Sequence, residues 1–202
     1  MADRVDELTE QLKRRLFVEI EASGRHVHVT KEQALQLFGH DTLTPVRDLS
    51  QPGQFLASER VSILGPKGKF DGVAVLGPCR SKGQVEVSLT DARVLGVKAP
   101  VRLSGEVEKT PSVTLVGPCG SICLPCGLIV ARRHIHMTPE DAALQQVNDG
   151  DEVRLKTITA RPVVFEKVAV RVSPSFATYV HLDYDEANAC GLHQGDLGMI
   201  LR

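Results

Sequence analysis

The segment Arg25-His26-Val27-His28-Val29-Thr30 occurs a second time, as Arg133-His134-Ile135-His136-Met137-Thr138, which commits the chain to building one local structure twice. In each copy two histidines flank a single apolar residue. On a β-strand, where successive side chains point to opposite faces, that spacing places both imidazoles on one face. Two imidazoles on a rigid face are good ligands for a divalent metal. Taken alone, such a pair reads equally well as a strand end whose histidines meet water. The repetition favours the metal, because four of the seven histidines fall in these two copies.

Each copy runs straight into a helix. Thr30 can cap a helix from Lys31 to Phe38, with Gln33 at the capping-box position and Gly39 at its end. In the second copy Thr138 is the cap, Pro139 the first helical residue, and the spacing predicts a helix from Glu140 to about Val147. Near the N-terminus, residues 2–16 set Val5, Leu8, Leu12 and Leu16 at helical spacing, with acidic residues early and Lys13, Arg14 and Arg15 late. That charge order suits the helix dipole. This amphipathic helix either packs on its own domain or a second subunit, or serves as a docking peptide for a larger assembly.

Short β segments follow around Arg60–Leu64, Val73–Leu76, Val85–Leu89 and Val101–Leu103, separated by Gly and Pro. The strands are too short and the turns too frequent for a doubly wound α/β sheet. The repeat also extends beyond the histidines. Phe70–Val75 resembles Phe165–Val170, and Asp91-Ala92, four residues before Gly96, resembles Glu186-Ala187, four residues before Gly191. The expected fold is therefore mainly β: two tandem, similar small β-barrels with short capping helices and the N-terminal amphipathic helix. The expected division is 1–16 for that helix, 17–105 for the first barrel, 106–127 as a connecting segment and 128–202 for the second barrel.

On this alignment Glu86 falls opposite His181, so each half gains a third candidate ligand: His26, His28 and Glu86 in one, His134, His136 and His181 in the other. Three protein ligands with an open position describe a catalytic rather than a structural zinc site. Such sets bind several divalent metals, zinc is favoured over iron or copper only by default, and Glu86 by itself also reads as a solvated strand residue. Arg80, in the tight loop Gly77–Gly83 before Glu86, reads either as an anion grip beside the metals or as an exposed loop arginine. Gly65-Pro66-Lys67-Gly68 is weak as a phosphate cradle, and no GxxxxGK[ST] is present. Cys119-x3-Cys123-x2-Cys126 has the spacing of a radical-SAM cluster, but those enzymes need a large strand-helix barrel, and a tolerated or zinc-binding Cys cluster fits this short β-rich chain better.

The formal net charge of -1 argues against a nucleic-acid partner, which usually demands a dominant basic stripe. No apolar run approaches the roughly 20 residues that span a bilayer, so no membrane is expected. A charged N-terminus and five cysteines, an odd number, fit a reducing, intracellular compartment.

With these motifs in view, the chain resembles the PduL-type phosphate acyltransferases (phosphate propanoyltransferases) over residues 17–202. SGRHVHVT, LSQPGQF, VLGPCRSKGQVEVSLTDARVLGV, APVRLSG, RRHIHMTPEDA and HLDYDEANACG occur in family order. The resemblance implies two zinc ions per chain, one held by His26, His28 and Glu86 and one by His134, His136 and His181. It implies the reaction of acyl-CoA with phosphate to give acyl phosphate and coenzyme A, with Arg80 as the catalytic, phosphate-binding arginine. Ala22, Ser23, Gly24, Arg47, Lys67 and Asn188 match CoA-contacting positions. Ala74 departs from the family, standing where relatives often carry Arg, and so does the cysteine-rich stretch around Cys119. Relatives that work in bacterial microcompartments carry a targeting helix, which residues 2–16 resemble, so shell proteins or co-encapsulated enzymes are expected partners beside a cytoplasmic location. Two rivals stand against this reading. A metal-dependent hydrolase or cupin-like enzyme also opens on His-x-His, but cupins place their Glu only a few residues on, whereas Glu86 lies 58 residues after His28. A non-catalytic zinc-stabilised assembly module is the other.

Overall fold

The computed structural model describes residues 2–201. The chain is mainly β and separates into two compact units that are interleaved in sequence: Gly24–Ala131 forms one, and residues up to Ser23 together with Arg132 onward form the other. Among the described residues no helix is long and apolar enough to cross a membrane.

The predicted N-terminal helix is present as α1 (Ala2–Leu16) and leads into β1 (Val18–Ser23), whose Val18 and Ile20 are buried. The Gly24–Ala131 unit then begins. It contains β2 (His26–His28), α2 (Lys31–Phe38), β3 (Pro45–Asp48), β4 (Phe55–Leu64), β5 (Lys69–Gly77), β6 (Gln84–Val87), α3 (Leu89–Leu95), β7 (Val101–Arg102), β8 (Val113–Val116), β9 (Ser121–Leu124) and β10 (Leu128–Ala131). Its strands make a nine-stranded sheet of order β7-β10-β6-β2-β5-β4-β8-β9, with β3 on β4, curled into a half-barrel. Period-two burial along β4 and β5 sends Val61, Ile63, Val73 and Val75 into a core shared with Val85, Leu115 and Leu128. Full burial of each such side chain contributes about 1.5–3 kcal/mol.

The second unit continues with β11 (His134–Met137), α4 (Pro139–Gln145), β12 (Glu152–Ile158), β13 (Val164–Val172), β14 (Tyr179–Asp183), α5 (Tyr184–Cys190) and β15 (Leu197–Leu201). These strands and β1 close a six-stranded barrel, β1-β14-β11-β13-β12-β15, with β15 returning to β1. Ile20, Ile135, Leu155, Val168 and Leu182 fill it.

Helix ends follow the expected chemistry. Thr30, Ser88 and Asp183 each complete a capping box with Gln33, Asp91 and Glu186, and Thr138 caps α4 through Asp141. Each cap contributes roughly 1 kcal/mol. α2 has the expected bounds and ends on Gly39 at φ 81°, in the left-handed region glycine enters without steric cost. α4 stops short of the expected Val147 because Gln146 itself turns left-handed at φ 54°.

The division at 106–127 gives way to a different one. That segment holds β8 and β9, which pair with β4 and with each other, and is part of the sheet rather than a connector. β1, assigned by its position to the first half, pairs in parallel with β14, Ile20 opposite Val180 and Ser23 opposite Asp183, and is a stave of the other barrel. α1 is tied to α4: Arg14 Nε donates to Asp141 Oδ1 at 2.8 Å, and Gln145 Nε2 donates to the carbonyl of Arg14 at 2.8 Å. Its apolar stripe nevertheless remains open, with Val5, Leu8 and Leu12 each more than half exposed.

Candidate metal centres

β2 lies inside its sheet, parallel to β5 and antiparallel to β6, and the β6 register sets His26 opposite Glu86. Strand alternation sends Val27 into the core while His26 and His28 share the other face with Glu86, all three buried. His26 Nε2 stands 3.5 Å and His28 Nε2 3.9 Å from Glu86 Oε1. The other ring nitrogens are committed. Nδ1 of His26 lies 2.8 Å from the Gly24 carbonyl and Nδ1 of His28 3.2 Å from that of Leu76. A carbonyl only accepts, so each Nδ1 carries the proton and each Nε2 lone pair faces the cluster, the tautomer a metal ligand needs.

The electrostatics agree. Burial disfavours the Glu86 carboxylate, but the charge and hydrogen bond of His26, and then the charge of His28, outweigh it and hold the group well below the usual carboxylate range. Burial, reinforced by the charges of His26 and Arg80, pushes the His28 imidazole well below its ordinary value. Burial also lowers His26, yet Glu86 raises it more by charge and hydrogen bonding.

The barrel unit repeats the plan. β11 is antiparallel to β14 and sets His134 opposite His181, the counterpart of His26 opposite Glu86. Nδ1 of His134 lies 2.8 Å from the carbonyl two residues before it, Arg132, as that of His26 does from Gly24. His181 Nδ1 has the Glu21 carboxylate at 3.9 Å. The supports are repeated as well. Arg25 pairs with Asp91 and lies 4.1 Å over the Phe70 ring, while Arg133 pairs with Glu186 and lies 5.8 Å over Phe165.

In both triads every ligand atom lies within 4.8 Å of the others. Around a tetrahedral zinc with bonds near 2.0–2.2 Å the same atoms stand about 3.3–3.6 Å apart, so rotations of a few tenths of an ångström to about one ångström close each set. Donor types therefore fit a divalent metal at both places, and at the first triad the tautomers and the ionisation of Glu86 agree. Among the described residues these are the two groups that do; Cys119, Cys123 and Cys126 form no third. Cys119 sits at the β8–β9 turn with its amide on the Leu37 carbonyl, and Cys123 lies on β9 opposite Thr114.

Arg80 belongs to the loop after Gly77, where a Cβ would meet the Phe55 ring at 2.2 Å and force that ring to shift. Its amide is held by the Val29 carbonyl at 2.8 Å and its Nη1 donates to Ser104 Oγ at 2.9 Å. Its charge reaches both His26 and His28. Two residues missed by sequence reasoning complete the arrangement. Gln84, buried on β6, donates to Glu86 Oε1 and to Ser104 Oγ and accepts from the Gly105 amide at 2.7 Å. A chain Arg80–Ser104–Gln84–Glu86 thus joins the guanidinium to a candidate ligand. The signal available was a glutamine two residues before Glu86, on the same strand face.

The candidate coenzyme A contacts fall on elements of both units. Ala22 and Ser23 end β1 and Asn188 is exposed on α5, which packs against β1. Arg47 is exposed on β3, Lys67 in the β4–β5 turn, and Gly24 supplies the carbonyl that orients His26.

A family model described as phosphate propanoyltransferase matches residues 19–193. A phosphate propanoyltransferase of Enterococcus faecalis is 52% identical, covering 99% of this chain and 98% of its own length. Proteins of that name from Clostridioides difficile and Listeria monocytogenes are 51% and 52% identical, each over 98% of this chain and over 95% and 93% of their own lengths. The two triads, the arginine beside one of them and this near full-length likeness converge: the chain belongs to the phosphate propanoyltransferase family and is an acyltransferase.

Proposed function

We propose that the protein is a zinc-dependent phosphate acyltransferase interconverting a short-chain acyl-CoA, propanoyl or acetyl, plus phosphate with the acyl phosphate plus coenzyme A. The observation that supports this reading is the shared register, His26 opposite Glu86 and His134 opposite His181, with three donor side chains close together in each unit. Zinc at His26, His28 and Glu86 and at His134, His136 and His181 would supply Lewis acidity toward a phosphate oxygen and toward the departing thiolate.

The chain's own groups do the rest. Arg80 donates to phosphate oxygens and, restrained by Ser104, fixes one oxygen for attack on the thioester carbonyl. The new C–O bond forms as the C–S bond breaks, and the electron pair leaves on sulfur, so no side-chain nucleophile is needed. Ala22, Ser23, Gly24, Arg47, Lys67 and Asn188 are the proposed coenzyme A contacts. The open apolar stripe of α1 supports a docking role in assembly with microcompartment shell or cargo proteins.

Thiol release from propanoyl-CoA tests the reading. Release that depends on phosphate and on bound zinc is expected. Release without phosphate would indicate a hydrolase, and no release from the zinc-loaded protein an assembly module.

A further inference from the structure

Arg171 is the residue of the barrel unit that neither the repeat nor the six ligands account for. β11 and β13 run parallel with His136 opposite Arg171, so the two side chains rise from the same face of the sheet. On the alignment of Phe70–Val75 with Phe165–Val170, the next residue is Leu76 in one unit and Arg171 in the other. A leucine whose carbonyl orients His28 is thus replaced by a guanidinium beside the second triad. Arg171 Nη1 lies 3.5 Å from His136 Nε2, and its guanidinium carbon lies 5.7 Å from the centre of the Phe176 ring. Phe176 in turn packs on the His136 imidazole with centroids 4.1 Å apart, so one aromatic ring adjoins both groups.

Among the described residues Arg171 has no carboxylate within ion-pair distance, although Arg14, Arg25, Arg132 and Arg133 all do. What it meets is a ring nitrogen that has one lone pair to offer. When that lone pair goes to a cation, the guanidinium N–H loses its acceptor and stands next to a dication held by three neutral imidazoles, with Glu21 beside His181 the nearby carboxylate. A half-buried site of that charge calls for an anion, and a planar guanidinium fork suits the oxygens of a tetrahedral phosphoryl group.

We infer that Arg171 is a second phosphoryl-binding residue, gripping at the His134–His136–His181 triad either the phosphate substrate or a phosphate of coenzyme A. This rests on the acyltransferase reading above. Both sources present the same oxyanion, and the experiment separates them.

The zinc-loaded full chain, Arg171→Gln and Arg171→Lys are titrated calorimetrically with inorganic phosphate, coenzyme A and 3′-dephospho-coenzyme A, with metal content and melting temperature measured on each. Arg171→Gln should keep its metal and weaken one ligand about tenfold or more, with Arg171→Lys in between. A loss for inorganic phosphate, with a matching rise in its KM and an unchanged KM for acyl-CoA, assigns the substrate. A loss for coenzyme A that disappears with the 3′-dephospho form assigns the 3′-phosphate; one that persists assigns the pyrophosphate. Dissociation constants within twofold of the parent for all three ligands overturn the inference. So does a loss that merely follows missing metal. The parent reports separately on the underlying reading, through its phosphate-dependent thiol release.

Discussion

Replacing Gln84 with methionine keeps the volume and deletes the hydrogen bonds. Gln84 is 2% exposed, donates to the Glu86 oxygen that faces both histidines, donates to Ser104, and accepts from the Gly105 amide. A bond to a charged acceptor contributes about 1.5–3 kcal/mol and each neutral one about 1 kcal/mol. Discounted for relaxation, the loss to the Gly24–Ala131 unit should be about 3 kcal/mol, a fall of roughly 10 °C in its melting temperature. Partners that orient a metal ligand typically contribute 10–100-fold in metal affinity, and the effect should be confined to one site. In the barrel unit the position opposite His136 is Tyr179, where Gln84 stands opposite His28, so the amide is not repeated at the equivalent position of the second triad. Competition of the zinc-loaded variant against a fluorescent chelator should thus show two classes of zinc, one weakened at least tenfold and one unchanged. Equal weakening of both, or of neither, would refute the assignment of Gln84 as the support of Glu86.

The parent protein should carry about two zinc ions per chain, and His26→Ala combined with His28→Ala should remove one and leave the other, as measured by elemental analysis. Arg80→Ala should raise the KM for phosphate by tenfold or more while moving that for acyl-CoA much less; equal losses would point to a collapsed loop. Deleting residues 1–15 removes Arg14 from buried Asp141, so thiol release should survive with a melting temperature lower by a few degrees, whereas deleting residues 1–12 should leave stability unchanged.

What could be read from the sequence was local or repeated. The His-x-His strands, the caps at Thr30 and Thr138, and the correspondence of Glu86 with His181 depend on side-chain alternation and on one half checking the other; the registers of β6 and β14 set Glu86 opposite His26 and His181 opposite His134. Three things were not legible. Val18–Ser23 announces a strand but not its partner, because alternation fixes a face and leaves the neighbour to distant residues. Gln84 and Ser104 look like solvated polar residues until the fold buries one against the other. Arg171 was hidden by the repeat itself, since the run of matching residues stops at Val75 and Val170, one position before Leu76 and Arg171.

The position of β1 bears on how the protein is made. Ile20 and its partner Val180 are about 160 residues apart in the chain, and the whole Gly24–Ala131 unit is threaded between them. During synthesis the first strand leaves the ribosome long before the staves that flank it, and it must wait as an open edge while the half-barrel folds. Contacts of such high sequence separation form slowly. Closure of the barrel should therefore be the late step, and a chain released before β14 and β15 would display Val18 and Ile20 on an unpaired strand, a ready template for association with its own kind.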